Sequence, residues 1–203
     1  SKDLPGAASG LYDPAKFVGG YDFAGDQYDA GDPEKSTPNP DNNPLDCREG
    51  GHGSHVAGTT AGYGVTEDGK TFRGDYNKLT AEQVKKMKIG PGSAPEAEIL
   101  GFRVFGCEGT TNVVGEALDR VLDPNSDGDF SDRANIVNLS LGSDFGVIDD
   151  PENDIIEALN RQGVLSVIAA GNANNYHGVG DTYSNLGNPP NAISALTVAN
   201  SIG

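Results

Sequence analysis

From residue 98 to residue 170 apolar strands alternate with helices, and this alternation restricts the fold more than any other feature. The segments are a strand Glu98–Phe105, a helix Asn112–Leu122, a strand Ala134–Gly142, a helix opened by Asp150 and Pro151, and a strand Val164–Ala170. Apolar residues of the first helix recur at helical spacing on one face. A strand, a crossover helix and another strand form a right-handed parallel unit. The sequence therefore predicts an α/β fold with a mostly parallel central sheet.

The rest of the chain is richer in turns. Residues 1–46 predict an irregular segment with a short strand near Phe17–Phe23, and residues 63–95 a peripheral insertion. That insertion carries one polar helix, Thr80 to Lys88, in which Thr80 followed by Gln83 forms a capping-box pattern. Residues 173–191 are expected to be a loop, and Ala192 to Val198 a last strand.

Composition limits both the size and the partners of the protein. A chain of 203 residues accommodates one domain or part of one. Its 30 acidic and 14 basic residues give a net charge of −16, which argues against a nucleic-acid partner and favours cations such as calcium. No apolar run approaches ~20 residues, and no signal peptide is recognisable, so we expect no membrane insertion by this segment.

The two cysteines, Cys47 and Cys107, are compatible with one disulfide or with two free thiols. Their spacing does not decide between these states. An acidic, glycine-rich chain with few lysines fits an extracellular setting, where a disulfide would persist.

Residues 50–62 contain the pattern that points most directly to chemistry, centred on His52. Imidazole exchanges protons near neutral pH, so a histidine at a helix start is a candidate general base. The small residues after it predict a helix packed tightly against a sheet. The alternative is a glycine-rich turn before a buried helix, with His52 and His55 only hydrogen-bonded. Asp46 is too near in sequence to be assumed the carboxylate that orients His52, and it is not excluded.

An acidic loop that begins at Asp123 precedes the strand at residue 134. Counted from Asp123, oxygen-bearing side chains occupy alternate positions and Gly128 is the sixth residue. This is the arrangement of an EF-hand calcium loop. The candidate ligands are Asp123, Asn125, Asp127, Asp129 and Asp132. The twelfth position is Ala134, so the usual bidentate glutamate is missing and Asp132 would replace it. A solvated acidic turn is the alternative.

The most apolar strand runs directly into Gly171 and Asn172. An amide at the carboxyl end of a parallel sheet lies where open α/β sheets gather their ligands. A turn asparagine with no further role is the alternative.

Three of these segments, in order, resemble the subtilisin-like serine proteases. His52-Gly-Ser-His-Val-Ala-Gly58 is similar to the family's His-Gly-Thr-His-Val-Ala-Gly, with Ser54 in place of threonine; residues 136–142 resemble Val-Ile-Asn-Met-Ser-Leu-Gly; and residues 169–172 match Ala-Ala-Gly-Asn. The resemblance implies a three-layer subtilisin-like fold, represented in part, in which His52 is the general base and the Asn172 amide donates to the oxyanion. It also implies that the substrate-binding site is lined by Gly109, Thr110, Thr111, Ser140, Leu141, Gly142, Ala170 and Gly171.

Two motifs of this family do not occur in the chain. The Asp-Thr-Gly motif is expected before residue 1, and the Gly-Thr-Ser-Met-Ala nucleophile motif after residue 203. We therefore expect residues 1–203 to be the middle of a catalytic domain, inactive without the remainder of that domain. The acidic loop and the glycine-rich insertion resemble subtilases that carry an inserted protease-associated domain.

The resemblance implies a secreted endopeptidase acting on peptide or protein substrates. A non-catalytic homologue used for binding or adhesion is one alternative. A calcium-binding structural module is another.

Overall fold

The computed structural model describes residues 12–47, 50–143, 149–172 and 191–199. It divides into two compact units, Ser1–Thr111 and Asn112–Gly203. Helices alternate with strands that pair in parallel, which confirms the predicted α/β class. Among the residues just given, no helix has the length and apolar character needed to cross a bilayer. The loop predicted for residues 173–191 falls almost wholly outside them.

The first unit is built on two parallel strands, β1 (Phe17–Asp22) and β2 (Ile99–Arg103). The described residues of this unit also form helix α1 (His52–Ala61), the short helix α2 (Ala81–Lys86) and a 3-10 turn at Tyr76–Lys78. β1 forms where the sequence predicted it. The side chain of Thr80 accepts a hydrogen bond from the backbone N–H of Gln83, and the Gln83 side chain accepts one from the backbone N–H of Thr80, which confirms the predicted capping box.

The second unit has the sheet order β3-β4-β5, all parallel. Its strands are β3 (Ile136–Leu139), β4 (Leu165–Ala169) and β5 (Leu196–Val198), and its helices are α3 (Val114–Leu122) and α4 (Pro151–Arg161). Its core contains the predicted apolar face of α3, together with Ile156, Leu159 and Ile168. The segment β3-α4-β4 is the parallel crossover of this unit.

One face of this three-stranded sheet is largely exposed and, apart from Asn138 on β3, apolar. Ile136 lies opposite Leu165 in the register, and Val167 lies opposite Leu196. Ile136 is 59% exposed, Leu196 52% and Val198 51%. Side chains alternate between the two faces of a strand, and Ser166 and Ile168 of β4 are buried. The opposite face of β4, which carries Leu165 and Val167, is therefore turned outward.

Three expectations from the sequence were wrong. Among the described residues, the strand at residue 98 pairs with β1 and the strand at residue 134 pairs with β4, whereas the sequence predicted that these two strands form one parallel unit. The close approach of β1 and β2 depends on glycine: a Cβ on Gly20 would lie 2.1 Å from the Gly101 carbonyl oxygen. The last strand begins at Leu196 instead of Ala192, because a turn closed by Ala195 N–H and Ala192 C=O precedes it.

The third error concerns α1, which was expected to be buried. Of its residues only Ala61 is buried, and His52 to His55 are all exposed. Glycine, serine and threonine carry little apolar surface, so burying them contributes little free energy. A run of small residues therefore permits close packing but does not enforce it.

Candidate active site

His52 is the first residue of α1 and is exposed. The residue before it, Gly51, has φ 68° and provides no side-chain cap. This left-handed conformation suits glycine and turns the chain sharply into the helix. The structure thus places the imidazole at a helix start, as the sequence predicted, but on an exposed surface instead of the expected buried one.

Asp46 supplies the cap that Gly51 lacks. One of its carboxylate oxygens accepts a hydrogen bond from Ser54 N–H at 2.9 Å, and the other accepts one from Cys47 N–H at 3.0 Å. The first amides of a helix have no partner within it, and a negative charge there is favourable. Both oxygens of Asp46 therefore hold backbone amides, and one of them fixes the first turn of α1.

A disulfide joins Cys47 to Cys107, which resolves the alternative left open by the sequence. The guanidinium of Arg103, only 10% exposed, lies beside it: Nη2 donates to Cys47 Sγ at 2.9 Å and lies 3.6 Å from Cys107 Sγ. Nη1 pairs with Asp22 at 3.0 Å and with Asp26 at 2.7 Å. Sequence reasoning missed Arg103, whose one signal was a charge at the end of an apolar strand.

Arg103 also binds two backbone carbonyls. Nη1 donates to Leu45 C=O at 3.3 Å, and Nε donates to Phe105 C=O at 3.0 Å. Since an arginine carries five donors in a fixed plane, it connects several segments at once. Here it links β1, the segment before α1, and the segment after β2.

The predicted substrate edge Gly109–Thr111 is held by Asp29 and its neighbour. Asp29 Oδ1 accepts from Thr110 N–H at 2.9 Å, and the Thr110 carbonyl accepts from Ala30 N–H at 3.0 Å. The hydrogen bonds from Thr110 N–H and Gly31 N–H hold the pKa of Asp29 below its ordinary value. Thr110 thus has both backbone groups paired, while the Thr111 hydroxyl donates to the Val104 carbonyl.

In the second unit, the predicted residues gather at the carboxyl edge of the sheet. The register pairs Leu139 with Ile168, so residues 140–142 and 170–172 leave neighbouring parallel strands at the same edge. Ala170 is buried, and its N–H donates to Val198 C=O at 2.8 Å. Gly171 has φ 96°, and Asn172 is exposed immediately after it. The structure brings Ser140, Leu141 and Gly142 together with Ala170, Gly171 and Asn172, as parallel strands require.

The acidic loop is arranged mainly by its own backbone. Asp123 accepts from Asp127 N–H at 3.0 Å and from Gly128 N–H at 2.9 Å, and Asp129 accepts from Ser131 N–H at 2.9 Å. The amide of Asn125 donates to Asp127 at 3.0 Å. Within the described residues, carboxylates of this loop do not form a group of three ligand atoms within 4.8 Å.

One atom of this loop nevertheless fits a cation. Asp132 Oδ1 is buried and has no hydrogen-bond partner. Burial raises the pKa of Asp132, and the neighbouring carboxylates of Asp127, Asp123 and Asp129 raise it further. A cation would relieve both effects, since it favours ionised carboxylates.

Another group that the structure brings together, Asp26 with Cys47 and Cys107, offers no thiolate ligands because the two sulfurs are bonded to each other.

Comparison with known proteins gives a consistent result. The profile described as "Subtilase family" matches residues 9–202. Pyrolysin from Pyrococcus furiosus is 30% identical over 166 residues, covering 73% of this chain and 11% of pyrolysin. The minor extracellular protease Vpr of Bacillus subtilis is 28% identical over 181 residues, covering 88% of this chain and 17% of Vpr.

A solved structure named S41 psychrophilic protease resembles this fold with a TM-score of 0.52 at 21% identity. The match covers 91% of this chain and 54% of that one. The chain therefore spans only part of each of these three proteins.

Proposed function

Because the chain belongs to the subtilase family, we propose that it supplies the histidine base and the oxyanion amide of a secreted serine endopeptidase. The observation that carries this proposal is the placement of the matched motifs. His52 stands exposed at a helix start, and Asn172 stands exposed after a strand end and a left-handed glycine. Both positions suit groups that must meet a substrate.

In this mechanism a serine hydroxyl attacks the peptide carbonyl while His52 takes its proton. Negative charge then develops on the carbonyl oxygen, and the Asn172 amide donates to it. His52 returns the proton to the leaving amine, and water releases the acyl group by the same steps. The family's aspartate and nucleophile motifs do not occur in these 203 residues. In this proposal the serine and the orienting aspartate therefore belong to other parts of the protein, and the segment alone would not hydrolyse peptides.

By the family resemblance, residues 109–111 of the first unit are proposed to pair with the backbone of an extended peptide substrate. Residues 140–142 and 170–171 of the second unit are proposed to do the same at the edge of their own sheet. The disulfide and the name of the extracellular relative from Bacillus subtilis support secretion.

The test is to label the full-length protein with a serine-directed fluorophosphonate. We expect the wild type to be labelled, and His52→Ala to lose labelling because the serine is no longer activated. Asn172→Ala should lower kcat about 100- to 1000-fold, the usual effect of losing one oxyanion donor. His55→Ala, in the same helix turn, is the matched control and should be labelled. Unlabelled wild-type protein would contradict the proposal and favour a non-catalytic homologue.

The acidic loop is proposed to hold a structural Ca²⁺, with ligands among Asp123, Asn125, Asp127, Asp129 and Asp132. The buried, unpartnered Oδ1 of Asp132 supports this assignment. Bound calcium would neutralise the loop's charge and stabilise the fold.

Thermal melts with and without calcium test this proposal. At ~100 times the dissociation constant, calcium should stabilise the wild type by about 2.7 kcal/mol. Asp132→Asn should lose most of that gain, whereas Asp119→Asn, an exposed acid on α3, should keep it. A wild-type melt that calcium leaves unchanged would refute the site.

A further inference from the structure

We propose that Arg103, Asp46 and the Cys47–Cys107 disulfide form a positioning clamp that holds the His52 helix start and the Gly109–Thr111 edge to one point. This inference rests on the proposed function for its effect on catalysis. Its contacts all lie within the first unit and are independent of that function. None of the three components would touch the substrate; each acts through the segments it holds.

The first arm of the clamp runs from Arg103 to α1. Arg103 donates to Leu45 C=O at 3.3 Å and to Cys47 Sγ at 2.9 Å, on either side of Asp46. Asp46 in turn accepts from Ser54 N–H at 2.9 Å, in the first turn of α1. Fixing the residues before and after Asp46 fixes its carboxylate, and the carboxylate fixes the turn that carries His52.

The second arm runs from Arg103 to the predicted substrate edge. Arg103 donates to Phe105 C=O at 3.0 Å, and its guanidinium lies 3.6 Å from Cys107 Sγ. Cys107 N–H donates to Asp26 C=O at 3.0 Å, and the Asp26 carboxylate pairs with Arg103 at 2.7 Å. Gly109 follows two residues later, so the clamp fixes only the start of this turn, and Asp29, which accepts from Thr110 N–H at 2.9 Å, holds the rest of it.

Burial strengthens the contact that anchors the clamp, the ion pair between Arg103 and Asp22. The Asp22 side chain is 2% exposed, and it accepts from Ala24 N–H and Gly25 N–H at 2.8 Å in addition to Arg103. Charge-assisted hydrogen bonds in such surroundings are stronger than neutral ones and less screened by salt. The clamp is therefore anchored in β1 through the buried Asp22, and the pair with Asp26, whose side chain is 69% exposed, adds a weaker contact.

The consequence is a defined link between the base and the substrate edge. In the proposed reaction, an error of about 1 Å in the placement of a reacting group can cost about 100-fold in rate. A clamp that fixes both segments from one guanidinium keeps such errors small. Breaking the first arm should therefore displace only the turn that carries His52. Removing the Arg103 guanidinium should displace both that turn and the Gly109–Thr111 edge.

The experiment uses the full-length protein and two readouts, hydrogen exchange at the Ser54 and Thr110 amides and steady-state hydrolysis of a peptide. Asp46→Ala should speed exchange at Ser54 by about fivefold or more, as expected for loss of a helix cap, and leave Thr110 unchanged. Its kcat should fall about tenfold or more with little change in KM. Asp46→Asn, which keeps one acceptor oxygen, should recover part of both losses.

Arg103→Met should speed exchange at both amides, lower kcat and raise KM. Arg73→Met, which removes an exposed arginine paired with Asp13 in the same unit, is the matched control and should change neither amide. Because Arg103→Met leaves Asp22 buried without its cation, that variant can fail to fold. Asp46→Ala leaves that ion pair intact and then decides whether the first arm holds α1. Arg103→Lys keeps a cation beside Asp22 but loses the planar donor set that reaches the other partners, so it should still speed exchange at both amides; unchanged exchange at Thr110 would overturn the second arm.

Unchanged hydrogen exchange at Ser54 in Asp46→Ala would overturn the clamp. A variant in which KM rises while kcat stays at the wild-type value would overturn it as well. If wild-type protein does not hydrolyse peptides, the proposed function fails, but the exchange experiment still tests the clamp. Faster exchange at Ser54 would then support positioning of this turn without the proposed reaction.

Discussion

Removing the Cys47–Cys107 disulfide should weaken folding by an amount that follows from its place in the chain. The two cysteines are 60 residues apart in sequence. In the chain-entropy model, opening a loop of that length returns entropy to the unfolded chain worth about 4 kcal/mol at 25 °C. That is a large share of the ~5–15 kcal/mol that typically stabilises a folded domain.

The assay is urea unfolding of the full-length protein, comparing wild type with Cys47→Ala/Cys107→Ala. With a slope of about 2 kcal/mol per molar urea, a loss of about 4 kcal/mol lowers the midpoint by about 2 M. Wild-type protein treated with a thiol reductant should approach the same midpoint. A loss below about 1 kcal/mol, with an unchanged slope, would refute the entropic argument.

Two further substitutions test packing and pH dependence. Leu159→Ala should cost about 2–5 kcal/mol in urea unfolding, because Leu159 is fully buried and the change leaves a cavity; a cost below about 1 kcal/mol would contradict its place in the core. Asp29 has a lowered pKa in the folded protein, so its contribution is present above its ordinary value of 3.8 and is lost as pH falls through the folded pKa. Asp29→Asn should therefore make stability fall less steeply below about pH 4, and an identical acid profile would contradict the role given to its bonds with Thr110.

Local signals allowed several elements to be predicted from the sequence. Helix α4 begins at Pro151, with Asp150 capping it through Glu152 N–H, and ends at Arg161 before Gly163. Each of these residues acts on its immediate neighbours, so the pattern is visible in the sequence. The capping box of α2 was predicted for the same reason.

Contacts between distant residues could not be predicted in this way. Arg103 lies 81 residues from Asp22 and 56 from Cys47, and nothing in the sequence associates them. The pairing of β2 with β1 is likewise set by glycines on separate strands. The exposure of α1 was missed because small residues indicate what can pack closely and do not indicate what covers them. The roles of His52 and Asn172 remain predictions that motif matching supports.

The apolar outer face of the β3-β4-β5 sheet has a consequence for the colloidal behaviour of this segment in solution. Side chains such as Ile136, Leu196 and Val198 would favour self-association, since exposed apolar patches attract each other in water. The net charge of −16 opposes this by mutual repulsion between molecules. Salt screens that repulsion, with a Debye length of about 30 Å at 0.01 M falling to about 3 Å at 1 M, and leaves the apolar attraction intact. The isolated segment should therefore stay dispersed in dilute buffer and cluster as ionic strength rises.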